Sequence, residues 1–365
     1  MPSRLAYLCS AAALTTTMVT SAYAQGTPPL PPNVPLPGVV SGPPTGVGVV
    51  APPPANFNAL TASPTANAQY SIPPAPPAAA SPRLHAVWQK AMSAPATSAR
   101  SSVAPTLTQT NISHGPNRKR GASVPAGETN NVLSSTSFNW SGTAVYNPAD
   151  PFTVEAIIGE YTVPVAHQAL GACTGGWDYS SLWPGIDGYG SGDVLQAGVE
   201  VDAFCWLGIT ASFYSAWIEW FPNSSVRVSS PVINPGDLIF VEVWNTSPTT
   251  GFAYFYNETT GETAEYSLTA PSGTRLVGSS VEWIVERPGV GGSLATLTNY
   301  IYSAWSDGLA WNYTAASPTY NYQGQNPTSG TLEVITMLDN NGNGISRPTI
   351  ENFNFLWFRD FGSAY

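Results

Sequence analysis

Val194-Leu195-Gln196-Ala197-Gly198-Val199-Glu200-Val201 sets Leu195, Ala197, Val199 and Val201 on alternate positions and leaves Gln196 and Glu200 between them. Successive side chains of a β-strand point to opposite faces, so this octet reads as a strand with one apolar face and one face offering a carboxamide and a carboxylate. Glu282-Trp283-Ile284-Val285-Glu286 has the same parity, with both glutamates opposite Trp283 and Val285. In Ser215-Ala216-Trp217-Ile218-Glu219-Trp220-Phe221, Glu219 shares a face with Trp217. Any one of these acids taken singly reads better as an ordinary solvated strand position. Three strands with acid or amide groups, tryptophan among them, together predict a concave face for an extended polymer, either peptide or glycan.

The same pattern of short, β-branched and aromatic segments recurs at Ser141–Tyr146, Val154–Val163, Leu238–Trp244, Phe252–Glu258, Ala264–Leu268, Leu332–Leu338 and Asn352–Phe358, with Gly, Pro, Asn and Ser between them. No segment of this region keeps a helical period and no repeat of fixed length is visible. The prediction is an all-β domain over residues 128–365, one antiparallel β-sandwich of two packed sheets.

Upstream the composition changes. Residues 1–24 carry Arg4, a short apolar stretch and Ala22-Tyr23-Ala24, the pattern of a secretory signal peptide; secretion, to the outside or to a periplasm, is the expectation. Residues 25–127 form a proline- and alanine-rich basic leader, with runs such as Pro73-Pro74-Ala75-Pro76-Pro77, that reads as a largely disordered pro-segment or linker. Only Arg83 to Met92 has helical apolar spacing, at Leu84, Val87, Trp88 and Met92, and suggests a docking helix. All 22 acidic residues lie at Glu128 or later, whereas seven of the 12 basic ones precede it; five arginines then leave the domain at −17. Such a charge repels nucleic acid and anionic membrane and suits an acidic milieu.

Cys9 falls within the signal, which leaves Cys173 and Cys205 as an even pair in an oxidising compartment; a disulfide is expected, with two buried thiols as the alternative. No CxxC or HExxH spacing exists, so no metal and no cofactor is expected. Asp339-Asn340-Asn341-Gly342 resembles a calcium loop without its final glutamate and reads better as a hairpin turn. Serine catalysis has only His167 in the domain as a base and no GxSxG elbow. Glu282 and Glu286 stand roughly 13 Å apart along one strand, beyond the spacing of a glycosidase pair.

Four segments taken together resemble the glutamic peptidases, or eqolisins: Asn139-Trp140-Ser141-Gly142, Trp183-Pro184-Gly185-Ile186-Asp187-Gly188 followed by Leu195-Gln196-Ala197-Gly198, Ala216-Trp217-Ile218-Glu219-Trp220-Phe221-Pro222, and Val281-Glu282-Trp283-Ile284-Val285-Glu286. The resemblance covers Phe138 to about Arg287. It implies a concanavalin-like sandwich of two curved antiparallel sheets and a secreted endopeptidase that acts in acid and is made as a zymogen. Its catalytic pair corresponds to Gln196 and Glu286, with Trp140, Trp183, Asp187 and Glu219 as surrounding site residues. Trp217 and Glu282 share those strand faces and join the expected groove. Beyond Arg287 the likeness thins, and Asn299–Gln325, rich in Tyr and Trp, matches nothing in the family pattern.

The expected partners are polypeptide substrates and the chain's own leader, in a monomer. A carbohydrate-binding sandwich and a glycoside hydrolase are the alternatives. The charge split further suggests that the leader, with its Leu84/Val87/Trp88 helix, lies on the acidic groove near neutral pH and lets go in acid.

Overall fold

The computed structural model describes residues 30–31, 34–93, 104–125, 132–147, 149, 155–170, 173, 175–324, 330–352 and 355–360. The expected signal segment, residues 1–24, lies outside them. Among the described residues, the two layers of the sandwich rest on fifteen main strands, joined by shorter ones at their margins. The first seven are β1 (Val132–Ser137), β2 (Trp140–Tyr146), β3 (Ala156–Thr162), β4 (Ser181–Ile186), β5 (Val194–Trp206), β6 (Ile209–Phe221) and β7 (Val226–Val228). Then come β8 (Leu238–Ser247), β9 (Thr250–Asn257), β10 (Thr263–Thr269), β11 (Ser280–Glu286), β12 (Tyr302–Trp311), β13 (Thr331–Leu338), β14 (Gly344–Asn352) and β15 (Phe355–Asp360).

One sheet runs β7-β6-β5-β4-β11-β2-β13 and the other β15-β12-β3-β8-β9-β10, with antiparallel neighbours throughout both. β1 lies parallel to β13. β14 pairs with both β13 and β15 and so joins the sheets along one edge. Leu195, Ala197, Val199 and Val201 of β5 pack with Val281, Trp283 and Val285 of β11 and with Ile239, Val241 and Val243 of β8 in the core between the sheets. The alternation read from the sequence therefore faces inward as expected, and Gln196, Glu219, Glu282 and Glu286 are left for the opposite face of the first sheet. The Tyr- and Trp-rich segment around residues 299–325 supplies β12, and Asp339 caps the β13–β14 turn by accepting from the Asn341 and Asn343 amides.

Cys173 and Cys205 are bonded and pin the segment before Gly176–Asp178 to the end of β5. The bond spans 32 residues, so its loss should cost about 3–4 kcal/mol on the loop-entropy account. Reduction should lower the thermal midpoint by about 6–16 °C, given about 2–4 °C per kcal/mol for a domain of this size; calorimetry with and without reductant checks this.

The leader helix, Pro82–Ser93, is present, but its place differs from the expectation. It does not cover the acidic groove. Leu84 and Ala91 pack on Ala156, Ile158, Phe240, Trp244, Leu309 and Trp311, the outer face of the second sheet. Arg83 pairs with buried Glu160 and lies 3.7 Å from Asp307 on that same face. Apolar complementarity decides the location: the outer face of β3, β8 and β12 is aromatic and would otherwise meet water, whereas the groove face already has an occupant.

Candidate active site

Backbone register sets the site. Glu282, Gly185, Gln196 and Glu219 oppose one another across β11, β4, β5 and β6. A second row, Glu286, Ser181, Glu200 and Ser215, crosses the same strands four residues away. Between the rows Trp183, Ile284 and Trp217 pack with Trp140. Glycines make room for the indoles: a Cβ on Gly198 would stand 2.1 Å from the Leu182 carbonyl and 2.7 Å from Trp183 Cβ, and one on Gly185 would meet the Trp183 ring at 2.8 Å. Held in that slot, Trp183 donates from Nε1 to Glu286 Oε2 at 2.9 Å.

The other oxygen of Glu286 accepts from Asn139 Nδ2 at 3.1 Å. That carboxyl is fully buried, and burial, with Glu219 nearby, pushes its pKa well above the usual glutamate range against the pull of these two donors. Gln196 is also fully buried; its Nε2 donates to the backbone carbonyl of His114 at 2.5 Å, while Oε1 has no partner among the described residues. A carboxamide donor on a peptide carbonyl, with a carboxyl close to the following peptide units, is an arrangement suited to acyl transfer.

The occupant of the groove is the leader itself. Leu107–Gln109 extends the first sheet beyond β7, and Ile112–Ser113 pairs antiparallel with Gly289–Val290. His114 then enters the cleft. Its Nδ1 lies 2.8 Å from Glu219 Oε2, its backbone N–H donates to the same carboxylate, and its ring stacks on Trp217 at 3.6 Å between centroids and 11° between planes. Nε2 lies 2.8 Å from Glu200 Oε1, without the alignment of a hydrogen bond. The next carbonyl, of Gly115, accepts from Trp140 Nε1 at 3.0 Å and Asn139 Nδ2 at 3.2 Å, and the Pro116 carbonyl also accepts from Asn139. Gln196 and Glu286 thus converge, directly and through Asn139, on the peptide units from His114 to Pro116. A cavity of about 450 Å³ remains beside Glu286, lined by Ser113, Pro116, Phe221, Gly289 and Leu294.

Trp140, Trp183, Trp217 and Glu219 all line this cleft. Asp187 is placed differently: its carboxylate accepts from the backbone amides of Val277, Gly278 and Ser279 and fastens the turn that launches β11. Glu282 accepts from the Tyr189 amide, four residues along β11 from Glu286. His167 pairs by its backbone with Asn299, away from the cleft. Two contributors escaped the sequence reading. Asn139 stood inside a quoted motif but had no role attached, and His114 lies in a leader whose polar residues carry no periodic signal. Among the described residues no group of three or more His, Cys, Asp or Glu is placed to hold a metal ion, and no helix is long and apolar enough to cross a membrane.

The chain is 32% identical over 189 residues to aspergillopepsin-2 of Aspergillus niger, a match covering 48% of this chain and 63% of that protein. It is 34% identical over 148 residues to scytalidopepsin B of Scytalidium lignicola, covering 40% and 51% respectively. The match therefore spans less than two thirds of either relative. Among solved structures, scytalido-glutamic peptidase with a transition state analog inhibitor aligns at 21% identity over 61% of this chain and 98% of that one, with a TM-score of 0.47. The model of the peptidase A4 family matches residues 138–346, more than half of the chain and every cleft strand from β2 to β11, and the chain belongs to that family.

Proposed function

We propose that this protein is a secreted endopeptidase, made as a zymogen, that hydrolyses peptide bonds in acid with Glu286 and Gln196 as its catalytic pair. The observation that carries this reading is the hydrogen bond from Gln196 Nε2 to the His114 carbonyl, because it aims the amide donor at a peptide carbonyl. Glu286, ionised once the leader is gone, takes a proton from a water as its oxygen bonds to the scissile carbon. The electron pair displaced onto the carbonyl oxygen becomes an oxyanion held by the Gln196 N–H, while Gln196 Oε1 orients the water. Collapse of the tetrahedral species breaks the C–N bond, and Glu286 returns the proton to the leaving nitrogen. Acid and amine products result, and Glu286 is again a carboxylate.

The buried state of Glu286 under the leader fits a zymogen. Burial favours the protonated carboxyl, which cannot act as a base, so uncovering the cleft both admits substrate and restores a lower pKa. The full chain should show no cleavage of denatured casein at neutral pH and should become active after incubation at about pH 4, near the glutamate range. Gel electrophoresis of casein and of the chain itself checks both points. Absence of hydrolysis after removal of the leader would instead favour a carbohydrate-binding role for the same groove.

A further inference from the structure

The leader touches the domain in two places, and the two contacts differ in kind. Residues 107–118 fill the cleft of the first sheet, whereas residues 46–93 are built into the second sheet, on the opposite side of the sandwich. Val47–Val49 adds an antiparallel strand to β10, in register with Tyr266 to Leu268. The chain then folds over itself: Trp88 of the helix packs with Ala59 and Ile72 in a small core of its own and donates from Nε1 to the Pro73 carbonyl at 3.0 Å. Ser81 fixes the start of the helix, donating to buried Asp307 at 3.2 Å and accepting from the Leu84 amide at 3.1 Å. The Tyr322 hydroxyl donates to the Ala80 carbonyl at 3.2 Å. Beneath the helix Ile158, Phe240, Trp244, Tyr254, Leu309 and Trp311 are each no more than 2% exposed.

We propose that the outer face of the second sheet is a permanent docking surface, and that its occupant, residues 46–93, stays bound to the active enzyme as a companion chain after the cleft segment has been cut away. This rests on the peptidase reading above for the cutting, and it divides the leader into a part that leaves and a part that stays. A substrate takes the place of the cleft segment, but nothing in the hydrolytic reaction takes the place of the helix. Were the helix to leave, those six large side chains would meet water as one contiguous patch, of a kind that soluble domains rarely expose. Buried Glu160 would also lose Arg83. Acid weakens that ion pair, yet the apolar contacts of Leu84 and Ala91 do not titrate. Glu242 acts in the same direction. Register sets it between Ile158 and Tyr254 in the middle of the patch, fully buried and with no hydrogen-bond partner for either oxygen among the described residues. Burial, with Glu265 nearby, raises its pKa, so the carboxyl is uncharged in acid, where an apolar cover over it costs least.

A recognition site for a specific protease, placed in the full chain between Ser93 and Ala104, tests this. The cut chain is held at about pH 4, near the glutamate range, until casein hydrolysis reaches its plateau. Gel filtration at the same pH follows, with mass spectrometry of the domain peak. Peptides spanning residues 46–93 should co-elute with the domain at nanomolar concentration, while residues 107–118 are lost. A domain peak that hydrolyses casein without any of residues 82–93 would overturn the proposal. Absence of casein hydrolysis would count against the peptidase reading alone, because co-elution of the cut fragment is read from the same run either way. The second measurement needs no activity and follows loss of the fragment after dilution of the cut chain. In Leu84→Asp the fragment should leave at least ~10-fold faster than from the unsubstituted chain, and in Leu84→Ala faster by a smaller factor. An unchanged rate in Leu84→Asp would show that the helix face is not what holds the leader to the second sheet, and the proposal would fail.

Discussion

Replacing Glu286 by Gln should lower kcat/KM for peptide hydrolysis at about pH 4 by roughly 10³-fold or more. In the proposed mechanism the general base and general acid steps both pass through this carboxyl, and positioned proton transfer is typically worth about 10²–10⁴. The substitution is isosteric, yet Asn139 Nδ2 and Trp183 Nε1 both donate to Glu286, so the new amide nitrogen must face one of those donors. That mismatch costs about 1–3 kcal/mol in a buried site, offset by the removal of a buried acid. The fold should therefore survive with a modest change in thermal midpoint. Gln196→Ala removes the donor to the carbonyl and should cost about 10²–10³ in kcat, the usual size of a lost oxyanion contact. It should also weaken the leader, whose His114 carbonyl is held by that same amide. Full activity in either variant would refute the assignment of the pair.

The second large effect concerns pH and stability. Burial raises the carboxyls of Glu242, Glu282 and Asp202 well above their ordinary values, pushes Glu200 to about 8 and, with Glu160 alongside, pushes Glu258 to about 7. In the unfolded chain such groups titrate near 4. The folded state therefore holds more protons between about pH 4 and 8, and stability must fall as pH rises through that window. All of it is present below about pH 4; for the fully buried groups together the loss amounts to several kcal/mol by pH 8. The domain's net charge of −17 adds repulsion in the same direction. Asp339, whose pKa the Asn343 side chain and the turn amides lower, opposes the trend. His114 opposes it from inside, since burial lowers its pKa and acid must charge it in place. Thermal midpoints measured from pH 3 to pH 9 should be highest at the acidic end. A midpoint that is flat or rises from pH 4 to 8 would show that these carboxyls are ionised in the folded protein.

The parts of this structure that follow strand parity were legible in advance. β5, β6 and β11 place their apolar and polar residues as alternation requires, and β11, Ser280–Glu286, contains the quoted Glu282-to-Glu286 run. β4 was missed because Pro184 argues against a central strand. The structure accommodates it by leaving the ladder to β5 unpaired between Leu182 and Gly185, so the missing N–H is not needed there. β14 contains Pro348 and was hidden for the same reason. The site was readable only where a motif carried it. Gln196, Glu286 and the three indoles came from resemblance and parity, but the leader's path did not. Helical spacing shows that residues 82–93 have an apolar side, and it says nothing of which aromatic face will receive it. Net charge favoured the groove, yet Leu84 and Ala91 went to the outer sheet, where burial of apolar area outweighs a diffuse attraction screened by salt.

The leader grips the domain on both sides of the sandwich, with its helix on the outer sheet and residues 107–118 in the cleft. If the chain is activated by loss of the leader, as proposed above, this double attachment governs the kinetics of that step. A single cut after Arg120 would leave the cleft segment tethered to the docked helix, and a single cut before Leu107 would leave it tethered to β1. In either case the blocking peptide remains at a local concentration on the order of millimolar, whatever the dilution. Escape then takes two cuts, or one cut and the slow departure of the helix. The onset of activity should accordingly show a lag that dilution does not lengthen while the first cut is intramolecular.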